Sequence, residues 1–236
     1  ILPAVPDAVP FFTGNANSSR SVALSWVSSP RASTFEIQRR TGSSAWSAIS
    51  TTGVAQTYYT DNSVQPSTLY SYRVVARNAG GSAVPSNYIL VNTWSTLADW
   101  RFQNYGTLTD AGVAASTADN GTGVPNLLKF AFNMAAEDRF YHVQESGGAK
   151  GMPLIQFESE SGLLRVAFIR RRAETNAGIQ YQVQFSDNLA DWSSVGQELM
   201  AEPINESFEY VVWQDEPWDG DTPARNTRFG RVLVTE

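Results

Sequence analysis

Two stretches of the chain share one residue pattern: FEIQRRTGSSAWSAI at 35–49 and YQVQFSDNLADWSSV at 181–195. Each begins with an aromatic residue, continues with an aliphatic residue and a Gln, and has a Trp eleven positions after the aromatic residue. Alternating apolar residues that run into a turn and a returning segment are typical of a β-hairpin. The pattern therefore predicts two hairpins, each with a Trp at the same place on its returning strand.

A second shared pattern precedes each hairpin and extends the repeat. Three alternating apolar residues lie before each hairpin: Val22, Leu24 and Trp26 before the first, and Leu164, Val166 and Phe168 before the second. The two matching pairs of segments predict two β-sandwiches of related topology. Chance similarity between β-rich sequences is the alternative.

Residues 94–152, between the two β-rich parts, lose this alternation. The segment STLADWRFQNYG begins with Ser95 as a candidate N-cap residue and stops at Gly106, which predicts a short helix. The segment PNLLKFAFNM predicts a second short helix, with Pro125 as its first residue.

The first β-rich part also follows a longer spacing of apolar and turn residues. The positions are Pro10, Leu24, Trp26, Phe35, Ile37, Val64, Pro66, Tyr70, Tyr72, Val74, Ala76, Asn78 and Gly81. With this spacing, residues 5–93 resemble a fibronectin type III domain. The resemblance implies that Trp26 is a core residue and that the Tyr70 hydroxyl binds upstream backbone, as the tyrosine corner of that family does.

We therefore expect a mainly β fold of two immunoglobulin/fibronectin-like β-sandwiches joined by a short helical segment. The expected domains are a sandwich at 1–93, a helical connector at 94–152 and a second sandwich at 153–236. The chain begins at Ile1 without a Met, so we expect a processed product or a piece of a longer protein.

Two segments of the second half, ADNGTGVPNLLKFA at 118–131 and QYQVQFSDNLADW at 180–192, resemble a C-terminal module of secreted bacterial proteins, including polysaccharide-degrading enzymes. In that family the first segment resembles a calcium loop. Its ligand positions correspond here to Ala118, Asn120, Thr122, Asn126 and Lys129. Calcium requires six to eight oxygen ligands, several of them charged, and Lys129 brings a cation instead. We expect a degenerate loop without metal, in which the Lys129 ammonium takes the place of the ion.

Two interpretations exist for Trp46 and Trp192, the tryptophans of the repeat. A large amphipathic ring on a returning strand can cover the edge of a small core, or it can stack on a ligand. The repeat favours the first interpretation, because both rings then serve the same hairpin.

The loop after the strand that ends near Trp213 is the candidate ligand-binding site. Its aromatic and acidic residues are Trp213, Asp215, Glu216, Trp218, Asp219 and Asp221. An indole flanked by carboxylates can stack on a sugar ring and bind its hydroxyls, and the carboxylates could instead hold calcium. The third interpretation is a solvated loop whose carboxylates pair with Arg225 and Arg228.

The composition excludes several classes of function. There is no Cys and only one His, His142, which removes the usual zinc sites and leaves no catalytic triad with a recognisable nucleophile. The net charge of −6 argues against nucleic acid as a partner. No apolar run reaches the roughly 18 residues of a membrane span. We expect neither an enzyme nor a cofactor.

The resulting prediction is a non-catalytic accessory module of a secreted bacterial glycan-active protein. It would bind a neutral polysaccharide or act as a spacer beside the catalytic domain of a parent protein. The alternative is a structural or adhesion subunit at the cell surface that self-associates through sheet edges. In that case the N-terminal segment ILPAVPDAVPFF could supply a strand to a neighbour.

Overall fold

The structure is a computed structural model that describes residues 2–118, 121–140, 148–217 and 227–236. The chain is mainly β and divides into two compact units, residues 1–99 and 100–236.

The first unit contains two antiparallel sheets. Its strands are β1 (Phe12–Ser18), β2 (Ser21–Trp26), β3 (Thr34–Thr41), β4 (Ser47–Gly53), β5 (Tyr58–Asp61), β6 (Leu69–Asn78), β7 (Gly81–Ser82) and β8 (Ile89–Asn92). One sheet has the order β1-β2-β5, and the other has the order β4-β3-β6-β7, with β8 also paired to β6. This arrangement confirms the sandwich predicted for the first half.

Alternating residues of both sheets fill the core of the first unit. Trp26 of β2 packs edge-on against Phe35 of β3, with 5.7 Å between ring centroids, and both rings are buried. The Tyr70 hydroxyl accepts a hydrogen bond of 2.9 Å from the backbone N–H of Gln65. The roles expected of Trp26 and Tyr70 are therefore confirmed.

The N-terminal segment lies against its own unit. Val9 is buried in the core, the side-chain amide of Asn78 donates to the carbonyl of Ala4 at 2.8 Å, and Arg31 Nε donates to the carbonyl of Val5 at 3.1 Å. Residues 2–11 form no strand. Supply of a strand to a neighbour by this segment stays a prediction, and it would require these contacts to break.

The predicted helical segment contains α1 (Thr96–Tyr105), a 3-10 turn (Ala111–Val113) and α2 (Asn126–Ala131). The Ser95 hydroxyl caps α1 by accepting the N–H of Ala98 at 3.0 Å. The helix ends at Tyr105, and Gly106 follows it with a φ of +71°. Pro125 lies at the N-cap position of α2 rather than inside the helix.

The described residues of the second unit also form two antiparallel sheets. Its strands are β9 (Leu154–Glu158), β10 (Leu163–Arg171), β11 (Gln180–Ser186), β12 (Gln197–Pro203), β13 (Phe208–Gln214) and β14 (Phe229–Thr235), with a second 3-10 turn at Ala173–Thr175. The four-stranded sheet has the order β12-β13-β10-β9, and the two-stranded sheet pairs β11 with β14.

The core of the second unit lies between these sheets and includes part of the helical segment. Phe168 of β10 and Phe185 of β11 face one cluster, and residues from 124 to 134 pack into the same cluster. Phe132 meets Phe168 edge-on, with 6.4 Å between ring centroids. The segment expected to be a separate connector thus contributes to this core, and the division between units falls within α1.

The two repeated hairpins keep the same register at their tips. Arg39 pairs with Ser47 in the first, and Phe185 pairs with Ser193 in the second, at the same separation from each Trp. The returning strand predicted at 192–195 is, however, reduced to that single bridge. At Gly196 the chain adopts a φ of +123°, where a Cβ would lie 2.6 Å from the Gln214 carbonyl oxygen. The chain then continues as β12 in the other sheet.

Candidate functional site

The first repeat builds a polar triad on one face of its sheet. Gln38 and Arg73 are cross-strand neighbours on β3 and β6, and Arg73 Nε donates to Gln38 Oε1 at 2.7 Å. The Arg73 guanidinium carbon lies 4.3 Å from the ring centroid of Trp46, which directly precedes β4. Successive side chains of a strand alternate between faces. Because Ile37 and Val74 are buried, the triad lies on the outer face.

The second repeat builds the same triad. Gln184 and Arg231 are cross-strand neighbours on β11 and β14, and Arg231 Nε donates to Gln184 Oε1 at 2.8 Å. The Arg231 guanidinium carbon lies 3.9 Å from the Trp192 ring centroid. Val183 and Phe185 beside Gln184 are buried, so this triad also faces outward. The shared Gln and Trp of the sequence repeat therefore serve one purpose, which is to hold an arginine.

Trp46 and Trp192 are not core residues. Both rings are half-buried, and neither belongs to the buried cluster of its unit. The expectation that both rings cover the edge of a core is wrong. Each ring instead packs against an arginine guanidinium in a cation–π contact. The sequence holds a signal for that partner. The strands that carry the arginines both read Arg-Val followed by aliphatic residues, RVVA at 73–76 and RVLV at 231–234.

The first triad is extended by a second cation and a second aromatic ring. The Arg40 guanidinium carbon lies 4.5 Å from the Trp46 ring centroid and 5.6 Å from that of Tyr88. The ring centroids of Tyr88 and Trp46 are 6.3 Å apart, and Tyr88 is 55% exposed. We call Gln38, Arg40, Trp46, Arg73 and Tyr88 together the Trp46 face. In the second triad the position that corresponds to Arg40 is Ser186, which is buried.

The loop predicted as the ligand site is arranged differently from the expectation. Val211, Trp213 and Asp215 alternate along the end of β13, and all three point toward the core side. The Trp213 indole N–H donates to Glu198 Oε2 at 3.2 Å. Asp215 is 2% exposed, so it is not the surface carboxylate that was predicted.

Asp215 is buried in an ion pair with Arg228. Both carboxylate oxygens accept hydrogen bonds from the Arg228 guanidinium, through Nε and through a terminal nitrogen. These bonds raise the pKa of Arg228, whereas burial alone would lower it. The negative charge of Asp187 also raises this pKa, and its Oδ1 lies 3.2 Å from a terminal nitrogen of Arg228. Glu216 is exposed, whereas Trp218, Asp219, Asp221 and Arg225 lie outside the described residues. Sugar or calcium binding at this loop stays a prediction.

The degenerate calcium loop is filled by its own side chains at the described positions. Asn126 is buried, and its amide donates to the carbonyls of Gly112 and Ala114 and accepts from the Tyr105 hydroxyl. The buried Lys129 ammonium donates to the carbonyl of Ala136. Ala118 and Thr122 add no charge, and Asn120 lies outside the described residues. A buried cation is a poor neighbour for calcium, and the prediction of no metal here stands as a prediction.

Residues for catalysis are not brought together in the described part of the chain. It holds no cluster of three or more His, Cys, Asp or Glu side chains that could bind a metal. His142 lies outside the described residues. No helix among those described is both long and apolar enough to cross a membrane.

The chain is similar in structure to several fibronectin type III domains. An Fn3-like protein from Clostridium thermocellum is 27% identical over 39% of this chain and 93% of its own, with a TM-score of 0.33. The FN5 domain of Drosophila Lar is 21% identical over 39% and 99%, with a TM-score of 0.34. The FN1–FN3 domains of chicken CNTN1 are 19% identical over 40% of this chain, with a TM-score of 0.36, and the chain spans 33% of that structure. No protein-family model and no curated protein matches the sequence.

Proposed function

We propose that this protein is a non-catalytic accessory module of a secreted bacterial glycan-active protein, and that it binds carbohydrate through the Trp46 face. The observation that carries the proposal is the duplicated outward triad, which in the first unit is joined by Arg40 and the exposed ring of Tyr88. An exposed aromatic ring beside hydrogen-bond donors suits a sugar, because the ring stacks on the apolar side of the pyranose and the donors bind its hydroxyls.

The Trp46 face meets two requirements of such a surface. Its arginines are held in place by Gln38 and Trp46, so binding need not order them again. The polar atoms stand on a sheet rather than on a loop, which favours a fixed geometry. A single platform of this size supports weak binding, which suits a module tethered to a parent enzyme beside other binding sites.

Replacing Tyr88 by alanine tests the proposal. Loss of one stacking ring costs about 1 kcal/mol, so we expect about fivefold weaker retardation in native gels that contain the polysaccharide that is bound. Tyr58→Ala is the matched control, because Tyr58 is 64% exposed and lies on β5 of the opposite sheet. Equal losses in both variants would count against the Trp46 face, and a wild-type protein that is unretarded in every gel would end the carbohydrate proposal.

The 213–221 loop is the second candidate binding site, and the same gels test it. Its acidic side chains favour a neutral polysaccharide over a charged one. If Trp218→Ala abolishes retardation in a neutral gel while Tyr88→Ala does not, the carbohydrate-binding function is retained and the site moves to this loop.

A structural subunit that self-associates is the second candidate function. Strand β14 pairs with β11 on one side, and no other described strand pairs with β14. Its Leu233 is partly exposed. An open strand edge with an apolar side chain can pair with the same edge of another copy.

Light scattering after size-exclusion chromatography tests this candidate. We expect a mass that rises with concentration in the wild type, and Leu233→Lys should return the protein to a monomer because a charge opposes edge pairing. A monomer at every concentration would remove self-association and leave the accessory role.

A further inference from the structure

Within residues 1–93 of the first unit, arginines outnumber the carboxylates that could pair with them. Residues 1–93 contain 6 arginines, no lysine and 3 acidic residues. Each carboxylate forms an ion pair: Asp7 with Arg31, Asp61 with Arg39, and Glu36 with Arg77. Among the described residues, the arginines left without a carboxylate partner are Arg20, Arg40 and Arg73.

Two of these three unpaired arginines lie on the same ring. Arg40 and Arg73 both contact the Trp46 indole, and burial together with the charge of Arg40 lowers the pKa of Arg73. Glu36 is nearby but binds Arg77 at 2.9 Å. Two like charges held close together repel each other, and the Glu36 carboxylate offsets only part of this effect on the pKa of Arg73. An anion bound by both arginines would relieve the remaining repulsion.

Most of the hydrogen-bond donors of the pair also have no partner among the described residues. Arg40 makes no side-chain hydrogen bond to a described residue, and its Nε is buried without a partner. Arg73 uses only Nε, toward Gln38. A guanidinium presents terminal N–H groups in a planar fork that matches a carboxylate.

Two large exposed apolar side chains lie on the β8 side of the pair. Tyr88 is 55% exposed, and Leu90 of β8, the cross-strand neighbour of Ser71, is 60% exposed. An anion alone would leave this surface bare, whereas a sugar ring that carries an anionic group would cover it while its charge meets the guanidinium pair.

We propose that the ligand of the Trp46 face is a carboxylate-bearing polysaccharide, with a uronate carboxylate bound between Arg40 and Arg73 and its ring against Tyr88. The proposal rests on the proposed carbohydrate-binding function and specifies the chemistry of its ligand. It differs from the neutral preference predicted for the acidic loop at 213–221, because that loop has the opposite charge.

Binding of the full chain to polygalacturonate, measured by calorimetry, tests the proposal. Arg40→Gln and Arg73→Gln should each raise the dissociation constant about tenfold, since each removes a charge-assisted hydrogen bond. Arg20→Gln is the matched control. It removes the same charge from the same unit, where Arg20 contacts Gln65 at 3.5 Å, and it should change binding by less than about twofold.

Further arms separate the sources of binding. Arg40→Lys keeps the charge without the fork, so it should recover only part of the affinity. A neutral galactan has the sugar ring but no carboxylate, and dextran sulfate has negative charge but no carboxylate. Both should therefore bind more weakly than polygalacturonate. Unchanged thermal unfolding of each variant establishes that it is folded.

The outcomes that overturn the proposal differ from those that overturn the function. Galactan binding without polygalacturonate binding, or equal loss in Arg20→Gln and Arg40→Gln, would refute the carboxylate site and leave the carbohydrate function in place. Dextran sulfate binding as tight as that of polygalacturonate would also refute it. If no polymer binds, the proposed function fails as well.

Discussion

Asp215→Ala is expected to lower the free energy of unfolding of the second unit by about 3 to 5 kcal/mol, because it breaks a buried ion pair by removing one partner. Asp215 is 2% exposed and accepts two hydrogen bonds from Arg228. In the variant the guanidinium of Arg228, whose side chain is 14% exposed, would stay largely buried without its main partner.

Urea unfolding of the full chain, followed through NMR signals of β10 and β13, measures this effect. Glu206→Ala is the control, because it removes an exposed carboxylate of the same unit and should cost less than about 0.5 kcal/mol. Joint replacement of Asp215 and Arg228 by leucine should cost less than Asp215→Ala alone. A loss below 1 kcal/mol for Asp215→Ala would show that the pair does not stabilise this unit.

Asp61→Ala is expected to destabilise the first unit by about 3 kcal/mol at pH 7, because Asp61 is fully buried and serves four donors. These donors are Arg39, the Tyr72 hydroxyl, and the N–H and hydroxyl of Ser63. Burial alone would raise the pKa of Asp61, but the hydrogen bonds from Ser63, Tyr72 and Arg39 outweigh it and lower that pKa.

The lowered pKa of Asp61 determines how the stability lost in Asp61→Ala depends on pH. A carboxyl whose pKa is lower in the folded state stabilises the fold above its unfolded pKa of about 3.9, and this contribution is lost as the pH falls through the folded pKa. The difference between wild type and Asp61→Ala should therefore be largest at neutral pH and shrink below about pH 4. A difference that stays constant down to pH 2 would contradict this account.

Asp7→Ala is the control for Asp61→Ala in the same titration. Asp7 also pairs with an arginine, Arg31, but both side chains are about half exposed. Solvent screens such a pair, so the variant should cost less than about 1 kcal/mol.

The parts of the fold that follow local periodicity could be predicted from the sequence. The repeat correctly predicted that β10 corresponds to β2 and that β11 corresponds to β3. It could do so because alternation fixes which residues of a strand face the core. Strand β12 was not predicted, since QELMAEP at 197–203 has only weak alternation and lies almost wholly exposed. It exists because β13 offers it a pairing edge, which is a property of the sheet and not of the segment.

The candidate site was less predictable, because its geometry depends on residues far apart in the chain. The sequence predicts Asp215 as an exposed loop carboxylate, because its partner Arg228 lies 13 residues away in the chain. It predicts Trp46 at the edge of the core, because the contacts of its ring with Arg40 and Arg73 depend on strand pairing. The Gln of the repeat was visible in the sequence, but its role as the acceptor for Arg73 required the register of β3 with β6.

Binding of an anionic sugar at the Trp46 face is the function that we propose for this protein. Its most direct test is a ¹⁵N–¹H titration of the full chain with an oligogalacturonate, with the Trp46 indole signal assigned through Trp46→Phe. We predict that the Trp46 indole and Tyr88 amide signals shift saturably while the Trp213 indole signal stays in place. A Trp46 signal that does not move at saturating oligosaccharide, whether or not other signals shift, would refute binding at the Trp46 face.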